Sequence, residues 1–226
     1  MFEAPNLVQN YVHHSGRLFV VGDLHGCYEL LMNQLTNLQF NFEQDLLVSV
    51  GDLVDRGPDS LKCLNLIDAP WFKAVLGNHE EMCLHSHVDY SMARLHAQHG
   101  GEWFYALSIE HQQQLIEKLK TVPVVLEIEF KNKKYGFVHA DIDVNDWSKF
   151  KSAIQLQHAK TREIALWGRG RIYNRHGLFS KFKTVQGIEQ IFLGHTIVEK
   201  VTQRDNCIYI DTGAYLGHPL TIIEVE

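Results

Sequence analysis

The chain has 226 residues, of which 45% are hydrophobic, and we expect residues 1–226 to form a single compact domain. The formal net charge of -6 argues against a protein that coats nucleic acid or anionic lipid, so we expect neither as a partner. Because the N-terminus does not resemble a secretory signal and no apolar stretch approaches membrane-spanning length, we expect a cytoplasmic protein.

The N-terminal part of the chain repeats one pattern, in which an apolar strand-like run is followed by a glycine-bounded polar turn and an amphipathic helix. This pattern predicts strands at residues 18–21, 46–50 and 74–76. Asp59 is a candidate N-cap for the helix after the second strand, and Leu61 is predicted on the buried side of that helix. Strands that alternate with helices in this way run parallel in one sheet.

The rest of the chain has a different organisation. Residues 90–120 are predicted to be mainly helical, with a break at Gly100-Gly101. Residues 167–179 are rich in Gly and Arg and have weak periodicity, which predicts a long loop. Two strands at 124–130 and 135–139 have the spacing of a hairpin. Further strands are predicted at 190–193, 200–203, 207–210 and 221–225, which gives an α/β fold with a mixed sheet and helices outside.

Six polar side chains stand just after predicted strands, where the loops of α/β sheets gather ligands. They are Asp23, His25, Asp52, Asn78, His139 and His195. Carboxylate, imidazole and amide donors together suit divalent manganese, iron or zinc better than soft metals. Two ions need a shared ligand, and Asp52 is our candidate for the bridge. Asp23 and His25 would complete one site, and the remaining three residues the other.

The neighbouring residues fit hydrolysis of a phosphoester. Two ions about 3.5–4 Å apart can generate a hydroxide that attacks phosphorus. The transition state also needs fixed cations and a proton donor. Arg56 is a candidate for the first role, and Arg169 is a second phosphate clamp, with Arg171 as its rival. His79 is the candidate acid, with Asp55 orienting its ring.

Each signal has an ordinary alternative explanation. A glycine-bounded aspartate is often only a helix cap, and a histidine at a strand end is more often structural. The coincidence of five such signals in one chain favours a site. His96 and His99 could bind a metal on a helix face, although surface histidines are more common, and His176 is a weaker candidate for substrate contact.

The four cysteines argue against thiol chemistry. They show no C-x-x-C spacing, which argues against a zinc knuckle and a thioredoxin-type redox centre, and we expect reduced thiols. None is followed six residues later by arginine, so a phosphatase with a cysteine nucleophile is also excluded.

These residues resemble the phosphoprotein phosphatase family, a branch of the calcineurin-like metallophosphoesterases, over residues 17–215. The motifs that match are Gly22-Asp23-Leu24-His25-Gly26, Gly51-Asp52-Leu53-Val54-Asp55-Arg56-Gly57, Gly77-Asn78-His79-Glu80, His139-Ala140 and Gly194-His195-Thr196. The chain is most similar in pattern to short bacterial serine/threonine protein phosphatases and to the bacteriophage lambda phosphatase. The segments that add to this similarity are Gly100-Gly101-Glu102-Trp103-Phe104, Leu166-Trp167-Gly168-Arg169 and Ile210-Asp211-Thr212-Gly213-Ala214.

The resemblance implies a fold, a cofactor and a reaction. The fold would be two mixed β-sheets packed as a sandwich and flanked by helices. The cofactor would be two metal ions, commonly manganese, held by the six residues named above. The reaction would be dephosphorylation of phosphoserine and phosphothreonine in proteins, with phosphotyrosine as an additional candidate substrate, by direct attack of a metal-bound hydroxide. Arg56 and Arg169 would contact phosphate, and Asp55 and His79 would form the acid. The oligomeric state stays open, and a monomer is compatible with the sequence.

Two other functions are alternatives. The symmetrical dinucleoside tetraphosphatases share the scaffold that the resemblance implies, but they typically carry alanine where this chain has Asp55 and aspartate where it has Glu80. Both differences favour the protein phosphatase. A catalytically silent module that binds phosphopeptides should lack a ligand or the acid, and this chain has all of them.

Overall fold

The computed structural model describes residues 7–174 and 181–226, whose strands form two mixed β-sheets. The strands are β1 (Val8–His13), β2 (Leu18–Val21), β3 (Leu46–Ser49), β4 (Phe72–Ala74), β5 (Val125–Phe130), β6 (Lys133–Val138), β7 (Gln190–Leu193), β8 (Thr202–Arg204), β9 (Cys207–Tyr209) and β10 (Ile222–Val225). The smaller sheet has the order β10-β2-β3-β4, and the larger has the order β1-β5-β6-β7-β9-β8.

Helices connect and cover the strands. They are α1 (Tyr28–Asn37), α2 (Ser60–Asn65), α3 (Asn78–His85), α4 (Tyr90–His96), α5 (Glu102–Tyr105), α6 (Ile109–Leu119), α7 (Trp147–Gln155), α8 (Ala159–Trp167) and α9 (Gly170–Tyr173). Short 3-10 turns lie at Leu66–Asp68 and Ala214–Leu216, and a kinked turn at Ala97–Gly101 joins α4 to α5. Within the described residues, no helix has the length and apolar character needed to cross a bilayer.

Both faces of the smaller sheet are buried, which explains why all four residues of β2 are inaccessible. Successive side chains of a strand point to opposite faces. Val20 accordingly packs in the core between the two sheets, together with Leu126 and Phe137 of the larger sheet. Phe19 points the other way and packs in a core with Leu31 of α1. The predicted sandwich of mixed sheets flanked by helices is confirmed.

The predicted β-α-β-α-β series is confirmed, since β2, β3 and β4 pair parallel. The hairpin prediction is confirmed as well, because β5 and β6 pair antiparallel around a turn at Lys131 and Asn132. The helical segment with its break at Gly100-Gly101 is also found, as α4, the kinked turn, α5 and α6.

Other predictions were wrong in detail. β4 lies at Phe72–Ala74, so it begins before the predicted run. Residues 167–179 are not one long loop, because α9 forms at Gly170–Tyr173. Leu61 is 41% exposed, since Cys63 and Leu64 fill the buried side of α2. Residues 175–180, which include His176, lie outside the described part of the chain.

Asp59 stands at the N-terminus of α2 but does not cap it through its side chain. Its carboxylate instead lies 3.0 Å from the amine of Lys62. The cap prediction was therefore right about the position and wrong about the hydrogen bond.

Candidate active site

The six candidate ligands lie where five strands of the two sheets end. Asp23 and His25 follow β2, Asp52 follows β3, Asn78 opens α3 after β4, His139 follows β6 and His195 follows β7. All six are buried, none with more than 9% of its surface exposed. The carboxyl ends of parallel strands meet at one edge, and this is why segments distant in sequence converge here.

Asp52 lies at the centre of this group. Its Oδ2 is 3.4 Å from Nε2 of His25, and its Oδ1 is 3.4 Å from Nε2 of His139. Two clusters among the described residues have the geometry to hold a metal ion, His25 with Asp52 and His79, and Asp52 with His139 and His195. Asp52 belongs to both, so its position is the one that a bridging carboxylate requires.

The remaining donors are connected to one another. Oδ1 of Asn78 lies 2.8 Å from Nε2 of His139 and 2.8 Å from Nδ1 of His195. The carboxylate of Asp23 accepts the backbone N–H of His195, with its Oδ2 at 3.0 Å. The structure therefore brings together all six residues that the sequence singled out.

The hydrogen bonds of the imidazoles fit metal ligands. Nδ1 of His139 lies 2.8 Å from the carbonyl of Val50 and donates its proton there. Nε2 of the neutral ring is then an acceptor that faces another acceptor, Oδ1 of Asn78, and such a pair is stable only with a proton or a cation between them. Nε2 of His195 is buried without a hydrogen-bond partner. The residues present thus fit a cation.

The charges of the site point the same way. Burial lowers the pKa of His25 to about 3 and that of His195 to about 3, so both rings are neutral, the form that binds metal. Burial raises the pKa of Asp23, and the nearby carboxylates of Asp211 and Asp52 raise it further. A cation would relieve this crowding of carboxylates.

The backbone of the site is strained. His25, Asp52, Asp55, Arg56 and His195 all have φ between 41° and 72°, a region that side-chain-bearing residues rarely adopt. Such residues persist only where the surrounding structure holds them, and they cluster at functional sites.

Two glycines allow the carboxylates to approach the backbone. A Cβ atom on Gly77 would lie 2.2 Å from Oδ1 of Asp52, and one on Gly194 would lie 2.0 Å from Oδ1 of Asp23. Any side chain at either position would displace a candidate ligand. This explains why glycine precedes Asn78 and His195 in the sequence.

Glu80 holds the loop after β3 in place, a role that the sequence did not reveal. Its carboxylate accepts the backbone N–H groups of Asp52, Leu53, Val54 and Gly77 at distances of 2.8–3.2 Å. Burial and the charge of Asp52 raise the pKa of Glu80 to about 7, although the N–H of Gly77 acts in the opposite direction. Glu80 therefore fixes the backbone that carries the central aspartate.

Asp55 and His79 form a buried pair. Nδ1 of His79 donates to Oδ2 of Asp55 at 2.7 Å. The other oxygen of Asp55 accepts Nε1–H of Trp103 at 2.7 Å and lies 3.1 Å from Nε2 of His96. The contacts of Trp103 and His96 with Asp55 were not predicted from the sequence, because no spacing rule relates these two residues to one more than forty positions earlier.

Arg56 lies at the mouth of the site. Its Nη1 is 2.9 Å from Nε2 of His25, and its Nη2 is 2.9 Å from Nε2 of His79. Its guanidinium carbon stands 4.4 Å from the ring centre of Tyr215, a cation–π contact that the sequence did not predict. The arginine is exposed, so it can reach a ligand.

The structure separates the two rival phosphate clamps. Arg171 is 2% exposed, and its guanidinium donates to the carbonyls of Lys183 and Val144 and to the side chain of Asn145. Arg169 is exposed at the start of α9 and close enough to His195 to help lower its pKa. Arg171 is thus committed to the fold, which leaves Arg169 as the candidate.

The cysteines are free thiols, and Cys63, Cys83 and Cys207 are buried. Burial raises the pKa of Cys207 to about 12 and that of Cys83 as well. These thiols are therefore unsuited to act as nucleophiles.

Comparison with known proteins shows that this fold and site belong to a class of hydrolases that act on phosphoesters. Residues 16–199 match the family model described as calcineurin-like phosphoesterase. The chain belongs to the calcineurin-like phosphoesterase family, so it is an enzyme that hydrolyses phosphoesters, and the resemblance seen in the sequence is confirmed.

Individual relatives within this family differ in how much of the chain they match. The chain is 38% identical over 212 residues to a Salmonella typhimurium protein named serine/threonine-protein phosphatase 1, a match that covers 92% of each chain. It is 48% identical to a symmetrical bis(5'-nucleosyl)-tetraphosphatase of Erwinia tasmaniensis, but over only 64 residues, or 27% of this chain and 23% of that one. A crystal structure described as a candidate diadenosine tetraphosphatase shares the fold, with a TM-score of 0.68, 22% identity and coverage of 96% of both chains.

Proposed function

We propose that the chain is a protein phosphatase that removes phosphate from phosphoserine and phosphothreonine side chains with the help of two divalent metal ions. The observation that carries the proposal is the buried Asp55–His79 pair, with its 2.7 Å hydrogen bond, beside a donor set centred on Asp52. The relative that matches over nearly the whole chain, and bears a serine/threonine phosphatase name, supports it.

We assign the ligands as the sequence motifs predict, and we leave His79, which clusters with His25 and Asp52, as the acid because Asp55 holds its ring. Asp23 and His25 would hold one ion, and Asn78, His139 and His195 the other, with Asp52 shared between them. When bound, the two ions would lower the pKa of a water molecule and neutralise phosphoryl oxygens. Manganese is our candidate metal, because the mixed carboxylate, imidazole and amide donors suit it and thiolates are absent from the set.

His79 is the proposed acid for the leaving group. Because its Nδ1–H is donated to Asp55, its Nε2 is the atom that faces the site, where it lies 2.9 Å from Nη2 of Arg56. A guanidinium only donates hydrogen bonds, so Arg56 would have to turn toward the bound phosphate for Nε2 to carry the acid proton. Burial lowers the pKa of His79, but the charge of Asp52 and the hydrogen bond to Asp55 outweigh burial, so the pKa is raised. A serine or threonine alkoxide is a poor leaving group, and a proton from Nε2 would stabilise it as it departs.

Arg56 and Arg169 would bind the phosphoryl oxygens. Both are exposed cations at the rim of the buried donor set, and a guanidinium can pair with two phosphate oxygens at once. They would orient the phosphate for attack by water opposite the leaving oxygen. With no thiol suited to act as a nucleophile among the described residues, we propose direct transfer to water without a phosphoenzyme.

Activity of manganese-loaded protein on matched substrates tests the proposal. We expect hydrolysis of phosphoserine and phosphothreonine peptides to be much faster than hydrolysis of diadenosine tetraphosphate, and to be lost after treatment with EDTA. A phosphotyrosine peptide in the same panel measures the breadth of specificity.

Three results would contradict it. Preference for diadenosine tetraphosphate would favour the nucleotide hydrolase. Binding of the peptides without hydrolysis of any substrate would favour a silent binding module. Recovery of a covalently phosphorylated protein during turnover would exclude direct transfer to water.

A further inference from the structure

His96 is a fully buried histidine outside the donor set. It ends α4, and its Nε2 lies 3.1 Å from Oδ1 of Asp55. Its Nδ1 lies 3.1 Å from the hydroxyl of Tyr105, which also reaches the carbonyl of Ala93 at 3.1 Å. Because a carboxylate only accepts hydrogen bonds, Nε2 carries a proton and donates it to Asp55.

The carboxylate of Asp55 is therefore held on both sides. Oδ2 accepts from His79, and Oδ1 accepts from His96 and from Trp103. Asp55 has no exposed surface, so these contacts replace the water that would otherwise solvate its charge. Fixing one oxygen fixes the plane of the carboxylate, and with it the oxygen that orients His79.

The segment that follows His96 packs closely on the residues that make its contact with Asp55. The turn after α4 is a kink between two helices, because the backbone leaves helical geometry at His99 and Gly100. Its Gly100 has a φ of 99°, and a Cβ there would lie 2.6 Å from the backbone nitrogen of Arg56. A Cβ on Gly101 would lie 2.3 Å from the ring of His96. The two glycines thus let the segment pack closely on both the Asp55–Arg56 backbone and the imidazole.

We propose that His96 is a positioning residue for the acid: through its hydrogen bond to Oδ1 it holds Asp55 in the orientation that presents Nε2 of His79 to the leaving oxygen. The inference rests on the proposed function, because it needs His79 to donate a proton. His96 itself does not touch substrate or metal. Its pairing with His99 as a metal site is not supported, since Nδ1 of His99 bonds instead to the carbonyl of Leu95.

The test compares two substrates that differ in their need for an acid. Phenyl phosphate has a basic leaving group that needs protonation, whereas p-nitrophenyl phosphate has a leaving group that is stable as an anion. The variants are His96→Phe, which fills the space without a donor, and His96→Gln, which keeps an N–H donor. His111→Phe on the exposed surface of α6 is the matched control. Thermal melting and metal analysis accompany each variant, all loaded with manganese.

We expect His96→Phe to lower kcat on phenyl phosphate by about 10-fold or more and on p-nitrophenyl phosphate by less than about 3-fold, since an acid contributes on the order of 100- to 10,000-fold in all. His96→Gln should restore most of the loss, and His111→Phe should match the wild type. In an Asp55→Asn background, His96→Phe should add no further loss that depends on the leaving group.

An equal loss on both substrates, or no loss on either, would overturn the inference while leaving the proposed function intact. Failure of the manganese-loaded wild type to hydrolyse either substrate would instead overturn the proposed function and this inference with it. If His96→Phe does not fold, His96→Ala replaces it in the same comparison, and the same outcomes decide.

Discussion

Replacing Glu80 with glutamine tests whether this carboxylate holds the loop after β3. Oε1 accepts the N–H groups of Leu53 and Val54, and Oε2 accepts those of Asp52 and Gly77. Glutamine turns one of these oxygens into a donor, so two buried N–H groups lose their acceptor. Each such loss costs about 1–3 kcal/mol, and removal of the buried charge, whose unfavourable burial raises the pKa of Glu80, offsets part of this cost, so the free energy of unfolding should fall by about 1–3 kcal/mol.

Urea unfolding of EDTA-treated protein at pH 8 measures this change without a contribution from metal. This pH lies above the pKa of about 7, so Glu80 is ionised in the wild type. Glu117→Gln is the matched control, because the side chain of Glu117 is 70% exposed and should contribute less than about 0.5 kcal/mol. A loss below about 0.5 kcal/mol for Glu80→Gln would refute the reasoning, because it would mean that the four N–H groups find other acceptors.

Further predictions concern the chemistry. His79→Asn should lower kcat by about 100- to 10,000-fold with metal content unchanged, and metal loss in that variant would show that His79 is a ligand. Because the hydrogen bond to Asp55 raises the pKa of His79 and favours its protonated form, the wild type should lose kcat as pH rises through the pKa of His79. Asp55→Asn should move that falling limb to lower pH, and an unmoved limb would exclude His79 as the acid. Asp52→Asn should weaken the binding of both metal ions. Full occupancy of both sites by elemental analysis would disprove the bridging role of Asp52. Arg169→Ala should raise KM for a phosphopeptide with the melting temperature unchanged, whereas Arg171→Ala should cost about 1–3 kcal/mol of stability, and the reverse pattern would restore Arg171 as the clamp.

Local patterns were sufficient to predict the parts of the fold where both faces of a strand are buried. The run that forms β2 is wholly apolar, the run that forms β3 is apolar except for Ser49, and a glycine follows each run, so their positions follow from local composition. β1 is different, because it is an edge strand that pairs only with β5 and leaves Tyr11 and Val12 exposed. Its mixed polarity gives no period-2 signal, and only the pairing with β5 makes it a strand.

The candidate site divides in the same way. Residues that follow a strand, such as Asp23 and Asp52, are found by their place in a local motif. The residues that support them come from elsewhere in the chain, as Trp103 reaches Asp55 and His139 reaches Asn78. These contacts depend on how the helices and the larger sheet pack in the folded chain. Local sequence patterns therefore do not predict them.

The proposed donors come from both sheets, with Asp23 and Asp52 on loops of the smaller one and His139 and His195 on loops of the larger one. Metal ions bound by these donors would link the two sheets at one edge. A ligand at a hundred times its dissociation constant adds about 2.7 kcal/mol to the stability of a native state. The lifetime of this enzyme against proteolysis should therefore follow the supply of metal, and starvation for the ion would remove the protein itself as well as its activity.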